Sequence, residues 1–246
     1  MMSLESFDKQ RESCFDGLDL SRKGSIDAPI AHLVKLINEQ SNYFTTSSCS
    51  GRILIFEQDT GNRVKKKGCK WLFTSHDVVQ PEEVVSSLRC LDGDAVFKFE
   101  PMVLHVQCRS VADAQSLHAC AVASGFRNSG ITIGSRGKII TAVRSTHSLE
   151  VPLSKDRRLM VSHEYIKFLT DCANSKMQEN LTRIKRFHDN VTAMLSHPES
   201  EKTRKKRRNR KARPDPAEQP PCDAGVARRH DAVEEDISTS FLFDDT

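Results

Sequence analysis

No uninterrupted apolar run in these 246 residues approaches the length needed to cross a bilayer, so no membrane partner is expected. The N-terminus, Met1 to Glu5, carries no apolar stretch of the secretory type, and the expectation is an intracellular, cytoplasmic protein. Eight cysteines are scattered without a CxxC pair or any finger or ribbon spacing. Free thiols are therefore expected, and no metal is assigned. A site assembled in space from Cys49, Cys69, His76 and His105 is the alternative left open. GxxxxGK[ST] is missing, which excludes a Walker phosphate loop, and no strand is followed by a GxGxG-type turn and helix. The chain also lacks GxSxG and cysteine-protease signatures. That argues against a hydrolase built on Cys49, or a serine near it, with His76. The net charge of +4 is too small to argue for nucleic-acid binding by itself.

What is present is unevenly distributed. Lys202–Arg213 holds nine Lys or Arg among twelve residues, followed by Pro214, Pro216, Pro220, Pro221 and an acidic end. Such a segment has too few apolar residues to offset its ordering entropy, so residues 197–246 are expected to be a disordered basic and then acidic tail. The basic run suits nuclear entry or unspecific attraction to RNA phosphates. Residues 1–196 read as one folded domain. Leu4, Phe7, Arg11, Cys14 and Leu18 predict an amphipathic helix; Asp27 suits the cap of the next, with Ile30, Leu33, Val34 and Ile37 as its apolar stripe. Strands are predicted at 43–46, 52–57, 70–75, 95–100, 102–109 and 138–145, and helices from Pro81, over 111–124, and from Ser162 to His197. This mixture without βαβ repetition predicts an α+β fold with a non-Rossmann arrangement and a long C-terminal helix.

Three features suggest chemistry. Thr45 to Arg52 places small polar side chains between two predicted strands, reading as a hydroxyl-rich loop. Such a loop suits a carboxylate, phosphate or ribose, or is simply a Ser-rich turn. Ser75-His76-Asp77 ends the tryptophan strand, where His76 suits a base; His76 and Asp77, being adjacent, point to opposite faces and cannot straightforwardly pair. In the two strands flanking Pro101, Lys98, Glu100, His105 and Arg109 fall on polar faces. If the strands lie side by side, these residues form either a common functional face or a solvated one with cross-strand ion pairs. Lys65, Lys66 and Lys67 sit in a basic loop over 58–69; Ser129-Gly130 and Arg144 repeat the theme of small polar residues beside a glycine or arginine.

These segments together resemble the wybutosine-synthesising protein 3 family of tRNA methyltransferases. The resemblance runs through Lys23–Asp27, Tyr43–Ile53, Lys70–Asp77, Phe97–Pro101, Leu104–Arg109, Gly125–Ile131 and Arg144 to Leu153, in one order over roughly residues 20–155. It implies S-adenosylmethionine-dependent N-methylation of the tricyclic wybutosine precursor at position 37 of phenylalanine tRNA. On that implication Ser47, Ser48, Cys49, Ser50, Gly51 and Arg52, with Ser129 and Gly130, are candidates to hold the cofactor. His76, Asp77 or Glu100 would accept a proton. Lys65, Lys66, Lys67, Lys98, His105, Arg109 and Arg144 would bind substrate, and Trp71 and Tyr43 suit stacking on an extruded base. Other enzymes of the same pathway are conceivable partners, and the oligomeric state is left open. The reading from another class is a non-catalytic RNA-binding adaptor.

Overall fold

Two long antiparallel strands, β1 (Tyr43–Gln58) and β3 (Asp94–Cys108), form the axis of the protein. The computed structural model describes residues 4–16, 25–58, 70–135 and 137–196. Before the axis come α1 (Leu4–Asp16), a 3-10 turn (Ala28–Ile30) and α2 (Ala31–Asn38). Then follow β2 (Lys70–Ser75) and α3 (Pro81–Ser87), and after β3 come α4 (Val111–Ala123), β4 (Gly130–Ile133), β5 (Ile139–Val143) and β6 (Leu149–Pro152). A two-stranded ribbon of β7 (Ser154–Lys155) and β8 (Arg158–Leu159) leads into α5 (His163–Ser196). The main sheet runs β2-β1-β3-β5-β4, with β6 also on β3, and every pairing is antiparallel. The fold is thus α+β and not Rossmann-like, as expected. No helix of the described residues is long and apolar enough to cross a membrane.

Several predicted elements form as their local chemistry dictates. Pro81 opens α3 and Glu83 Oε2 accepts the backbone N–H of Gln80 at 2.9 Å, closing a capping box. Ser110 caps α4 by accepting from the backbone N–H of Asp113. Ser129-Gly130-Ile131 leads into β4, which together with β6, β7 and β8 lay outside the predicted strands; each spans four residues or fewer, too short for a clear alternation.

Two expectations are corrected. The hydroxyl-rich segment Thr45–Arg52 is no loop: it lies inside β1, paired with β3 except for a bulge between Thr45 and Ser47. The strands flanking Pro101 do not lie side by side, because they are one strand, β3. The reason is visible in burial. Ala95, Phe97 and Phe99 face the core, and beyond Pro101 the buried set becomes Met102, Leu104, Val106 and Cys108. The alternation changes parity at Pro101–Met102, which read in sequence as a strand break.

Gly51 is opposite that switch, paired with Pro101, at φ +103°. A Cβ there would lie 2.8 Å from Asn180 Nδ2 and 3.0 Å from the Glu100 carbonyl, so glycine is required both by conformation and by space. Asn180 of α5 is buried and bridges both strands at this point. Its Nδ2 donates to the Ser50 carbonyl (2.8 Å) and its Oδ1 accepts from the Met102 N–H (2.9 Å). The second edge of β3 divides at the same place, pairing with β6 over 96–99 and with β5 over 104–108.

The core divides likewise. One cluster packs Ile53, Ile55, Phe97 and Phe99 with Val84 of α3 and Ile166, Leu169 and Met177 of α5. The other packs Met102, Leu104 and Val106 with Leu33 of α2, Leu117 of α4, and Ile184 and Phe187 of α5. A fully buried Phe or Ile contributes roughly 1.5–3 kcal/mol, so either cluster outweighs the polar contacts near the switch. Spanning 34 residues, α5 is the one helix among the described residues that serves both, with Asn180 at its midpoint.

Candidate functional site at the seam of the sheet

Asp27, Cys49 and His76 meet where the two halves join. Asp27 occupies the position before the 3-10 turn, but its side chain makes no cap hydrogen bond. Instead its buried Oδ2 accepts the backbone N–H of Ser50 at 2.9 Å, a bond across 23 residues that corrects the predicted capping role. His76, just beyond β2, places Nδ1 2.9 Å from the Gly51 carbonyl and 3.4 Å from Asp27 Oδ2. Both neighbours can only accept, so Nδ1 carries the hydrogen and the neutral ring keeps its lone pair on Nε2. The carboxylate behind the ring is therefore Asp27. Asp77 has an exposed side chain, and its backbone N–H and carbonyl both bond the Ser75 hydroxyl in a strand-end turn.

Ligand atoms of Asp27, Cys49 and His76 all lie within 4.8 Å of one another, a spacing that would suit a cation. The protonated Nδ1, however, offers no lone pair toward Asp27. Burial pushes the Cys49 thiol up, and the backbone bond of Gly51 and the charge of Arg52 only partly oppose it. Cys49 thus remains a thiol at neutral pH, poorly suited to nucleophilic attack. The four-residue metal alternative falls partly outside the described residues. His105 is engaged with Ser47 and Arg144, and Cys69 lies outside the described residues.

Beside this trio, Arg52 Nε donates to Glu100 Oε2 at 2.8 Å across the Arg52–Glu100 pair of the ladder. Its guanidinium carbon sits 4.8 Å from the centre of the Trp71 ring, a cation–π contact that aims the group. Lys98 reaches Glu100 (3.4 Å) and Glu150 of β6 (3.0 Å). Glu100 is thus flanked by two cations, and Trp71 serves as a platform for Arg52 at the sheet surface.

A second string of polar groups crosses the neighbouring strands. His105 Nε2 is 3.0 Å from Arg144 Nη2, which can only donate; the neutral imidazole's hydrogen is therefore on Nδ1, 2.8 Å from Ser47 Oγ. Burial, then the Arg144 charge, lowers the His105 pKa from 6.5, favouring this neutral form. Ser47 accepts from His105 and keeps its own O–H to donate. The backbone N–H of Arg144 donates to Ser129 Oγ at 3.1 Å.

Other candidates lie elsewhere. Arg109 bonds Asp8 and stacks 4.5 Å from the Phe7 ring centre, tying α1 to the sheet instead of joining Lys98 and His105. Ser48 is exposed, and Gly130 begins the edge strand β4. Tyr43 is buried, with its hydroxyl bonded to the Asp113 carbonyl, so it is not open to a base. Lys65, Lys66, Lys67, the basic run and the acidic end lie outside the described residues. Missed in the sequence were Asp27 as the partner of His76, Asn180 as the clamp and Glu150. Asn180 did leave a signal, as a lone amide in the apolar stripe Ala173, Met177, Ile184 of α5.

An imidazole backed by a carboxylate, a protonated thiol and an aimed guanidinium, placed on a non-Rossmann antiparallel sheet, define a site suited to positioning a charged ligand and accepting a proton. By family the chain is similar to known proteins over nearly all its described length. The model of the family described as "Methyltransferase TYW3" matches residues 4–193. A zebrafish (Danio rerio) protein named "tRNA wybutosine-synthesizing protein 3 homolog" is 47% identical over 98% of this chain and 99% of its own. The human (Homo sapiens) protein of the same name is 52% identical over 74% of this chain and 71% of its own. Among solved structures, the PH1069 protein from Pyrococcus horikoshii superposes with a TM-score of 0.70 at 34% identity, covering 78% of this chain and 98% of that one. The chain belongs to the TYW3 methyltransferase family.

Proposed function

We propose that this methyltransferase takes its methyl group from S-adenosylmethionine and places it on a ring nitrogen of the tricyclic wybutosine precursor at position 37 of phenylalanine tRNA. The observation that carries the reading is the orientation of His76. With Nδ1–H committed to the Gly51 carbonyl and Asp27, Nε2 is the atom left to accept a proton. N-methylation of such a ring requires loss of one.

The residues at the seam fit the methyl donor by their chemistry. Its α-ammonium calls for a carboxylate, available from Glu100, and its carboxylate for donors, available from Arg52 and the Ser47 hydroxyl. When bound, it supplies an electrophilic methyl group on a sulfonium. Ser50 N–H and the Gly51 carbonyl are already engaged by Asp27 and His76, so they build the site and do not grip a ligand. Asp27 holds the imidazole in its tautomer and favours the imidazolium formed when Nε2 takes the proton. Arg52, aimed by Glu100 and Trp71, positions the anionic end of a ligand, and orientation of the partners supplies much of the acceleration. Lys98 and Arg144 extend the cationic rim toward RNA phosphates, with Lys65, Lys66 and Lys67 as additional backbone contacts. We assign the activity to the cytoplasm. Arabidopsis thaliana has a relative named "tRNA wybutosine-synthesizing protein 2/3/4", 42% identical over a fifth of its length. That name, which numbers three wybutosine-synthesizing proteins in one, supports contact with other pathway enzymes.

Calorimetry of the full chain with S-adenosylmethionine, with and without the precursor tRNA, tests the cofactor; methyl transfer tests the base. His76→Gln is expected to lower kcat by about 10²–10⁴-fold while cofactor binding persists, and Arg52→Ala to weaken cofactor binding. An unchanged kcat in His76→Gln would remove His76 as base. Absence of cofactor binding even with tRNA present would favour the RNA-binding adaptor.

A further inference from the structure

Away from the seam, a cavity of about 670 Å³ opens between α1 and the far end of the β1–β3 ladder. Its floor is the cross-strand pair Phe44 and Gln107, and Lys9 of α1 and Lys138, just before β5, stand at its walls. Among its lining residues are two cations, hydroxyls and amides, but no carboxylate. Both lysines are exposed, and neither makes an ion pair among the described residues. Gln107 is fully buried: its Nε2 donates to Gln10 at 3.0 Å, while Oε1 has no hydrogen-bond partner among the described residues. A buried carbonyl left without a donor is unfavourable, which points to a ligand that brings one.

The cavity continues the face of the proposed site. Ser47 pairs with His105 and Cys49 with Val103, so β3 carries Gln107, His105 and Val103 in succession toward the seam. Four residues of strand separate Gln107 from Val103, roughly 13 Å at about 3.3 Å each. Thr46, which lines the cavity, also donates to the His105 carbonyl at 3.3 Å.

We infer that this cavity binds a nucleotide of the substrate RNA flanking the one that reacts, with Lys9 and Lys138 on its phosphates and Gln107 facing a base amino group or ribose hydroxyl. The inference rests on the proposed function, since it takes the substrate to be RNA. The methyl donor itself is a poorer occupant, because its ammonium group would find no carboxylate there. A phosphodiester chain is anionic throughout and satisfies both lysines.

Cys14 is an exposed free thiol lining the cavity, and Cys90 is an exposed free thiol that does not line it, so the two provide a footprint with an internal control. The full chain is labelled with a maleimide, alone, with saturating precursor tRNA and with S-adenosylmethionine, and each cysteine is followed by peptide mass spectrometry. Precursor tRNA is expected to slow labelling of Cys14 severalfold and leave Cys90 unchanged. In parallel, the Lys9→Ala/Lys138→Ala protein is expected to bind the tRNA roughly tenfold more weakly, and its slope of log affinity against log salt to be smaller by about 1.4, at roughly 0.7 per contact for a single strand. Its affinity for S-adenosylmethionine should be unchanged. Equal labelling of Cys14 with and without bound tRNA, or a double variant with wild-type tRNA affinity and salt slope, would overturn the subsite. Protection of Cys14 by S-adenosylmethionine alone would assign the cavity to the donor and also overturn it. A wild-type chain that binds no tRNA would sink the proposed function, and the subsite with it.

Discussion

The two halves of the β1–β3 ladder are built alike and serve different ends. In the half from Ile53 to Glu57 of β1, the strand is flanked by β2 and β3, and the odd-numbered residues of β3 enter a core shared with α3 and the first half of α5. In the other half β1 has no strand partner beyond β3 among the described residues, and the even-numbered residues of β3 enter a core shared with α2, α4 and the second half of α5. Each half alone is an ordinary two-layer arrangement of helices on a sheet. Between them the sheet must change which residues face inward, and at that change backbone groups of Ser50, Gly51 and Met102 turn to Asp27, His76 and Asn180. The seam is where the fold brings a carboxylate, a thiol and an imidazole together, because backbone donors and acceptors released from the ladder there hold them.

The strongest way to break the distinction is to remove the switch. Gly51→Ala forces a Cβ against Asn180 and the Glu100 carbonyl at a φ of +103°, and should abolish methyl transfer and lower the denaturant midpoint more than any side-chain change at the site. A variant with wild-type activity would show that the switch does not shape the site. Next in size is Asn180→Ala, which leaves the Ser50 carbonyl and the Met102 N–H without their partner. At about 1–3 kcal/mol per buried unsatisfied group, a loss of roughly 2–6 kcal/mol is expected in urea unfolding. A loss confined to a few tenths would mean that water takes over the clamp and the halves are held by their apolar clusters alone.

The smallest effect sharpens the contrast by pH. The folded His105 has its pKa held below the ordinary 6.5 by burial and by Arg144, so the neutral imidazole contributes stability that is fully present above 6.5. That contribution is lost as pH falls through 6.5 toward the folded value. Wild type should therefore lose stability on mild acidification more steeply than His105→Gln. Parallel pH profiles of the two proteins would count against the Ser47–His105–Arg144 string as drawn.

Elements with a strong local period were legible. Leu4–Asp16, Lys70–Ser75, Pro81–Ser87, Val111–Ala123 and His163–Ser196 lie close to the ranges that spacing, proline and capping residues predict. Arg52 and Glu100 were rightly singled out as polar residues on strand faces, but their bond to each other was not visible, since the two are 48 residues apart. Thr45–Arg52 misled because hydroxyl-rich runs suit turns; here the ladder to β3 and the bulge at Thr46 override that preference. Asp27 was read as a cap because nothing local distinguishes a carboxylate that caps its own helix from one that accepts the N–H of Ser50.

By itself the sequence determined the α+β class, the long C-terminal helix and, through segments matched in order, the methyltransferase family. These follow from periodicities and motifs that are local or collinear along the chain. The tertiary structure alone decided that Asp27, Cys49 and His76 converge, that Asn180 clamps the switch, and that Arg109 bonds α1. Each of those depends on which backbone groups the folded ladder leaves unpaired and on contacts between distant residues.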